Sequence, residues 1–476
     1  MKKLLLLFLP LFVSLLKGSL AAAPPAAIVI FGATGDLTAR KVLPAIHRLA
    51  EEGKLSDNTV VIGVGRRDYT SSKFREMMGE GAFAKKLYYH RLDFDEGEGY
   101  EGFKAALEQI ERERGTQGNR IFYLATHSNS FAPIIEKLSE HGLIYDGSEE
   151  KWSRVILEKP FGHDLDSAIE LQREISKHLD ESQIYRIDHY LGKAAVQNLL
   201  AFRFKNTVFE PLWNKQHIDH VQITISEEIG IGTRAHFWEE TGLLRDIFQN
   251  HMMQLLSIVA MEPPTPQSAE AVHAEKIKLL KAVRPFPAKT IDCHVVRGQY
   301  GPGESKGQTV AGYRQEKGVP EDSNVETFAA AKLFIDNPRW RGVPFYLRSG
   351  KRLDAQMAEI VICFKNSPNK LLIRIQPQPG VFLKIAGNGE NPAFMGYELD
   401  APEAYEKLIL DALVGDQSSF VSAEEQLAAW KIWDPVIEHW KSSKERQIPQ
   451  YASGSHGPKE AETLIAEDGR KWEERY

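Results

Sequence analysis

Two hydrophobic rhythms divide the chain. After residue 26, short continuous apolar runs alternate with stretches whose apolar residues recur every three or four positions. Ala27–Phe31 is such a run, and glycines follow it at once, which predicts a buried parallel strand. Val42, Leu43, Ile46, Leu49 and Ala50 then share one face of a helix that Gly53 stops. Pro44 falls near its first turn, where a missing N–H costs least. Thr59–Gly65 reads as a second strand, and Leu87–Leu92, Arg120–Ala125 and Arg154–Leu157 as further ones. Helical spacing fills the intervals at Ser72–Met78, Tyr100–Arg114 and Ala132–His141. This order predicts an α/β unit over residues 27–184, a Rossmann-like doubly wound sheet, mostly parallel, with helices on both faces.

Beyond about residue 205 the rhythm changes. The runs HVQITIS, TFAAAKLFI, AEIVICFK, KLLIRIQP and GVFLKIA follow one another across short turns, which predicts a mainly antiparallel sheet. Long helices at Leu243–Met261, Ala404–Val414 and Ala423–His439 interrupt it, and Glu262–Ser268 and Gly298–Ser323 read as surface loops. Residues 185–472 are therefore expected to form a second, larger α+β domain.

Composition agrees with two globular domains: 476 residues, 42% apolar and 26% charged. A net charge of −6 offers no basic field for nucleic acid, so local cation clusters point to a small anionic ligand. Two cysteines, Cys293 and Cys363, exclude a disulfide framework, and no Cys/His spacing suits a metal; both are expected as buried thiols. Residues 1–23 carry two lysines, an apolar run from Leu4 to Leu16 and small residues before Pro24. That is the layout of a signal peptide, too short for a membrane span, so no membrane is expected for the mature chain. The leader points to export, whereas the cofactor chemistry below needs a cytosolic pool. Cytoplasmic location is the expectation adopted.

The first chemical signal is IVIFGATGDLTARK, joining the first strand to its helix. Gly32 and Gly35 allow close backbone approach, and a helix N-terminus offers free N–H groups to a pyrophosphate. The G-x-x-G spacing also suits a purely structural turn. The second strand ends in Arg66 and Arg67 where an NAD site places an acid, and guanidinium suits the 2′-phosphate of NADP. Lys159, in RVILEKPFG, falls at the carboxyl end of a late strand, the edge where open α/β sheets bind ligands. In YRIDHYLGK, an extended backbone would send Asp188 and His189 to opposite sides, so neighbours could serve different sites. A helix beginning near Gly192 would put Lys193 in its first turn, where dipole and ammonium both favour a phosphate. The same cluster would also suit an ion-paired interdomain surface, and His251 could be a satisfied helix histidine.

Taken in order, IVIFGATGDL, EKPFG, YRIDHYLGK, RDIFQNHMMQLL, GVPFYLRSGKRL and AYEKLILDALVGD resemble the glucose-6-phosphate dehydrogenase family, from Ile28 to Trp472. The resemblance implies oxidation of glucose 6-phosphate at C1 to 6-phosphoglucono-δ-lactone with reduction of NADP+, in a homodimer or homotetramer. It implies His251 as general base and Asp188 as its partner. His189, Tyr190 and Lys193 would hold the 6-phosphate. Lys159, Glu227, Asp246 and Lys351 would hold the sugar, with Lys159 also near the cofactor. Gly32, Thr34, Gly35, Asp36, Leu37 and Arg66 would bind the cofactor. Two other readings compete: an oxidoreductase of the glucose–fructose oxidoreductase type, acting on an unphosphorylated sugar, and a catalytically silent NADP sensor. Three departures from the family pattern stand out. His127, Ser128 and Asn129 replace a Pro-Pro pair, Gln356 replaces a basic residue five positions after Lys351, and Met357 speaks against a second, structural NADP site. With one cation fewer, the KM for the sugar phosphate should be raised and kcat less affected. Steady-state kinetics of Gln356→Arg should then show a lower KM, and an unchanged KM contradicts this reading.

Overall fold

The computed structural model describes residues 22–473, apart from 78–80, 95–97, 146–149, 388–392, 401 and 444–447. Most of the expected leader, residues 1–21, lies outside the described residues. Six strands, β1 (Ala27–Phe31), β2 (Val60–Gly65), β3 (Leu87–Arg91), β4 (Arg120–Leu124), β5 (Ser153–Leu157) and β6 (Ile184–Arg186), form an all-parallel sheet in the order β3-β2-β1-β4-β5-β6. The apolar runs are continuous because both faces are covered. Ile28 and Ile30 pack into one core with Leu43, Ile46 and Leu49, whereas Val29 and Phe31 pack into another with Phe103, Leu107 and Ile134. The strand order reverses between β1 and β4, which opens a crevice at their carboxyl ends.

Gly32 begins the loop at that crevice with φ +78, and a Cβ there would lie 2.4 Å from the Ala125 carbonyl oxygen. Only glycine fits both constraints. The loop closes with Gly35 N–H donating to Gly32 O at 2.9 Å, then enters a π-helical turn, Thr38–Val42, ahead of helix Leu43–Glu51.

The second sheet is built from β7 (Ile218–Ser226), β8 (Val295–Gly301), β11 (Phe328–Phe334), β12 (Pro344–Gly350), β13 (Met357–Phe364), β14 (Lys370–Gln376), β15 (Gly380–Ile385), β16 (Ala393–Glu398) and β17 (Gln450–Ala452). A small hairpin, β9 (Gly303–Ser305) with β10 (Gln308–Val310), lies inside the segment expected as loop from Gly298. The nine strands are ordered β16-β15-β14-β13-β7-β12-β11-β8-β17 and are antiparallel except for β7–β12 and β8–β17. Its helical cover includes Ala423–Ser442, whose Trp430 and Trp433 are fully buried. Helix Ala404–Val414 comes late in the chain yet packs on the first sheet, with Leu408, Ile409 and Leu413 in the same core as Ile28.

Two local expectations need correction. The helix expected at Leu243–Met261 is present, but its first half, Leu244–Met252, is π-helical and only Met253–Ala260 is regular α-helix; a separate helical segment, Ala235–Leu243, precedes it. Gly242, at φ +64 and ψ 178, breaks the path, and the wider turns after it shift the angular position of every later side chain. Cys293 is exposed, because it ends a surface 3₁₀ turn, Ala288–Cys293; Cys363 is buried in β13, and burial pushes its thiol up to about 12. Among the described residues no helix is long and apolar enough to cross a membrane.

Candidate active site

The chain leaves β6 at Arg186, and Ile187 N–H still donates to Leu157 O at 2.8 Å. Then it turns. Asp188 Oδ1 accepts from Tyr190 N–H at 3.0 Å, Leu191 N–H donates to Asp188 O at 3.0 Å and Lys193 N–H to Tyr190 O at 3.1 Å. Such a side-chain-stabilised turn is the local preference of aspartate. The extended backbone expected through Tyr190 is therefore absent, and Asp188 and His189 are not sent to opposite sides.

Both converge on His251, carried by the π-helical stretch. Asp188 Oδ1 and His251 Nδ1 are 2.6 Å apart, with both side chains 2% exposed. The His189 ring meets His251 edge-on at a centroid distance of 4.6 Å, and Tyr190 covers it at 4.5 Å and 30°. Asp188, His189 and His251 each present a donor atom within 4.8 Å of the others. The carboxylate oxygen already engages Nδ1 of His251, which makes this a proton-holding pair.

Lys193 occupies the N-cap position of helix Ala194–Phe204, one residue before the first turn, with Nζ 4.3 Å from the Tyr190 ring centroid. Beside it a cavity of about 550 Å³ is lined by Lys41, His189, Lys193, Gln376, Glu403 and Tyr405, among others. Lys41 and Gln376 were not singled out from sequence. Lys41 ends the glycine-loop motif and could have been found there, whereas nothing local marks Gln376 at the end of β14. Near enough to His251 for their charges to act on it, Lys159 Nζ donates to Asp246 O at 2.8 Å and Oδ1 at 2.9 Å. The parallel pairing of β7 and β12 sets Ser226 against Gly350, so the next residues, Glu227 and Lys351, emerge side by side. Lys351 Nζ donates to the Glu227 carboxylate and lies 4.5 Å from the Trp238 ring centroid.

Burial dominates the electrostatics. It lowers the pKa of His251, with the Asp188 charge pulling the other way and Lys159 adding to the depression, so the imidazole is neutral at neutral pH. Burial would raise Asp188, but the charge and hydrogen bond of His251 outweigh it and hold the carboxyl at about 2. Asp246, likewise pushed up by burial, is brought to about 2 by Lys159 and Lys351. Burial drops Lys193 to about 8 and takes His189 well below its usual value. Glu158, which sequence reasoning passed over although it adjoins Lys159, is raised to about 7 by burial and hydrogen-bonded by Tyr123 and Tyr405.

The glycine loop carries Gly32, Thr34, Gly35, Asp36 and Leu37, and Arg67 Nη1 donates to Thr34 O at 3.3 Å. Arg66 and Arg67 are exposed at the end of β2, with the Arg66 guanidinium 5.9 Å from the Phe94 ring centroid. Residues Ser128–Ser130 form a short 3₁₀ turn where the family pattern has the Pro-Pro pair, and Gln356 is exposed.

A Rossmann-like sheet whose crevice adjoins a buried acid–imidazole pair belongs to a nicotinamide-dependent oxidoreductase. The family model "Glucose-6-phosphate dehydrogenase, NAD binding domain" matches residues 29–198, and "Glucose-6-phosphate dehydrogenase, C-terminal domain" matches residues 200–473. The chain is 47% identical to a glucose-6-phosphate 1-dehydrogenase of Chlamydia pneumoniae, over 94% of this chain and 96% of that one. It is 42% identical to that of Bacillus subtilis, over 94% and 98%. A solved structure, a glucose-6-phosphate dehydrogenase in complex with its substrate glucose-6-phosphate, superposes with a TM-score of 0.85 at 35% identity, covering 95% of this chain and 99% of that one. The chain belongs to the glucose-6-phosphate dehydrogenase family.

The pair makes a signed prediction. The Asp188 charge raises the imidazole pKa against the depression from burial, so Asp188→Asn should lower it further. Nitrogen-15 NMR of the histidines across pH reads this directly, and a His251 pKa that rises or stays fixed in the variant contradicts it.

Proposed function

We propose that the chain oxidises glucose 6-phosphate at C1 to 6-phosphoglucono-δ-lactone, with NADP+ as oxidant, the first oxidative step of the pentose phosphate pathway. The observation that carries the reading is the buried Asp188–His251 pair, at 2.6 Å, next to a cavity bearing His189, Lys193 and Lys41. Residues 27–184 are assigned to the cofactor and residues 185–472 to substrate and self-association.

His251 is assigned as general base. Its Nδ1–H donates to Asp188, which leaves Nε2 unprotonated to take the C1 hydroxyl proton. Asp188 holds that tautomer and stabilises the imidazolium as it forms. His189, Tyr190 and Lys193 are assigned to the 6-phosphate; a dianion beside Lys193 would restore the proton that burial weakens. Lys159 with Asp246, and Lys351 with Glu227, form two ion pairs whose remaining donors and acceptors suit sugar hydroxyls. Gly32 fits a cofactor cradle, since a Cβ would obstruct the loop, and Thr34, Gly35, Asp36, Leu37 and Arg66 complete it, with Arg66 suited to a 2′-phosphate. NADP+ supplies the hydride acceptor when bound.

The cationic cavity favours a phosphorylated sugar over the glucose–fructose oxidoreductase type of activity, and a neutral, acid-oriented histidine favours catalysis over a silent sensor. We further propose a homodimer or homotetramer, supported by Phe394, Met395 and Tyr397 exposed on the sheet-edge strand β16. A monomer in sedimentation velocity at micromolar concentration would overturn it. Cytoplasmic action is proposed because NADP is held there; an N-terminus cleaved near Ala23 in the native protein would instead mean export.

Absorbance at 340 nm with glucose 6-phosphate or glucose, each with NADP+ or NAD+, tests the reading. Reduction is expected with glucose 6-phosphate and NADP+, and equal rates on glucose would remove the phosphate assignment. His251→Asn should lose about 10²–10⁴-fold in kcat while still binding substrate. Near-parent turnover would reject His251 as base.

A further inference from the structure

The π-helical stretch Leu244–Met252 carries both Asp246 and His251, so its start sets where the imidazole points. Helix starts leave backbone N–H groups without partners, and a side chain at the N-cap normally takes one of them. Here the N-cap residue is Leu243, which offers no such side chain. The acceptor arrives from 82 residues away: Glu326 Oε1 receives Leu244 N–H at 3.0 Å.

Glu326 is a buried carboxyl, 8% exposed, on the segment leading into β11. The contact is tight enough to dictate its neighbour. A Cβ on Gly242 would lie 2.6 Å from Glu326 Oε1, and Gly242 also holds φ +64, so glycine is required there twice over. The residue after Glu326 holds the backbone of Lys351. Thr327 O accepts Lys351 N–H at 2.9 Å, and Tyr451 O–H reaches Lys351 O at 2.6 Å. Glu326 and Thr327 thus tie the histidine-bearing stretch and the lysine-bearing strand end to one short segment.

We infer that Glu326 is a positioning residue for the reaction: by capping Leu244 it fixes the path of the π-helical stretch and thereby the orientation of His251 toward the substrate. Burial holds its carboxyl above the usual carboxylate range, with the hydrogen bond from Leu244 N–H foremost among the effects acting against that rise. The role requires an oxygen acceptor and no negative charge, which separates it from a charge-based one. The backbone partners of Lys351 are Thr327 O and the Tyr451 hydroxyl, and the Glu326 side chain is neither of them.

The test uses Glu326→Ala, which removes the acceptor, and Glu326→Gln, which keeps it. In Glu326→Ala, kcat should fall about 10- to 100-fold, the size of effect that small misplacement of a reacting group produces. The KM for glucose 6-phosphate and for NADP+ should change less than about threefold, and the isotope effect on kcat with C1-deuterated substrate should grow as chemistry becomes limiting. Glu326→Gln should return kcat to within about threefold of the parent. The inference is overturned if Glu326→Ala turns over at the parent rate, if KM rises as far as kcat falls, or if Glu326→Gln fails like Glu326→Ala although its circular dichroism and melting match the parent. If Glu326→Ala does not fold, Gly242→Ala, which crowds the same oxygen, is read by the same criteria, with Glu326→Gln still required to recover activity. The inference rests on His251 as base, and His251→Asn run in parallel keeps the two apart. Near-parent turnover there removes the base assignment itself, whereas loss there with a fully active Glu326→Ala removes only the present inference.

Discussion

The Asp188–His251 hydrogen bond joins residues 63 positions apart and does so in a dry site, with both side chains 2% exposed. A carboxylate removed from water is costly unless it is paired and hydrogen-bonded. That constraint accounts for the arrangement around it. The turn after β6 gives Asp188 a backbone donor, Tyr190 N–H, and the π-helical stretch turns His251 inward to give the second. His189 and Tyr190 exclude water by packing on the ring, so the partners that protect the imidazole come from the turn that supplies its acid. The same burial that makes the pair costly keeps the imidazole neutral, which is what a proton acceptor needs.

The rest of the site repeats this logic with opposite charges. Lys159 meets Asp246 from the coenzyme sheet, and Lys351 meets Glu227 across the parallel β7–β12 pair. Each lysine is prepaid with a carboxylate partner, so cations can be kept close to a buried imidazole without driving its pKa far from a useful range. Lys193 is the exception, lying near the open cavity with its proton weakened by burial, which suits a group waiting for an anion. Helix Ala404–Val414 closes one side of this cavity while packing on the first sheet, so the late chain holds the two halves of the site together.

Much of this was legible from sequence where the signal is local. Ala27–Phe31, Tyr100–Arg114 and Ala404–Val414 are found with the ends their periodicity predicts. Gly32 was legible because one loop demands a positive φ and a close carbonyl together. What failed was non-local. The π-helical opening of Leu243–Met261 follows a break at Gly242 and takes a cap from Glu326, and neither registers in a hydrophobic period. The turn at Asp188 overrode the extended pattern of RIDHY once its side chain found Tyr190 N–H. Lys41 and Gln376 share a cavity because distant elements converge, so the chemistry of Gln376 has no trace in its own neighbourhood. Glu158 was hidden by the lysine beside it.

The central claim is that burial against Asp188, His189 and Tyr190 makes His251 a neutral base whose own titration gates turnover. The most direct measurement is the pH dependence of kcat/KM for glucose 6-phosphate with NADP+. Once the second ionisation of the substrate phosphate, near pH ~6, is divided out, the acidic limb should show an enzyme ionisation below the ordinary imidazole value of 6.5, because burial lowers the group. An acidic limb at or above that value, or a flat profile down to the point of unfolding, would contradict the account.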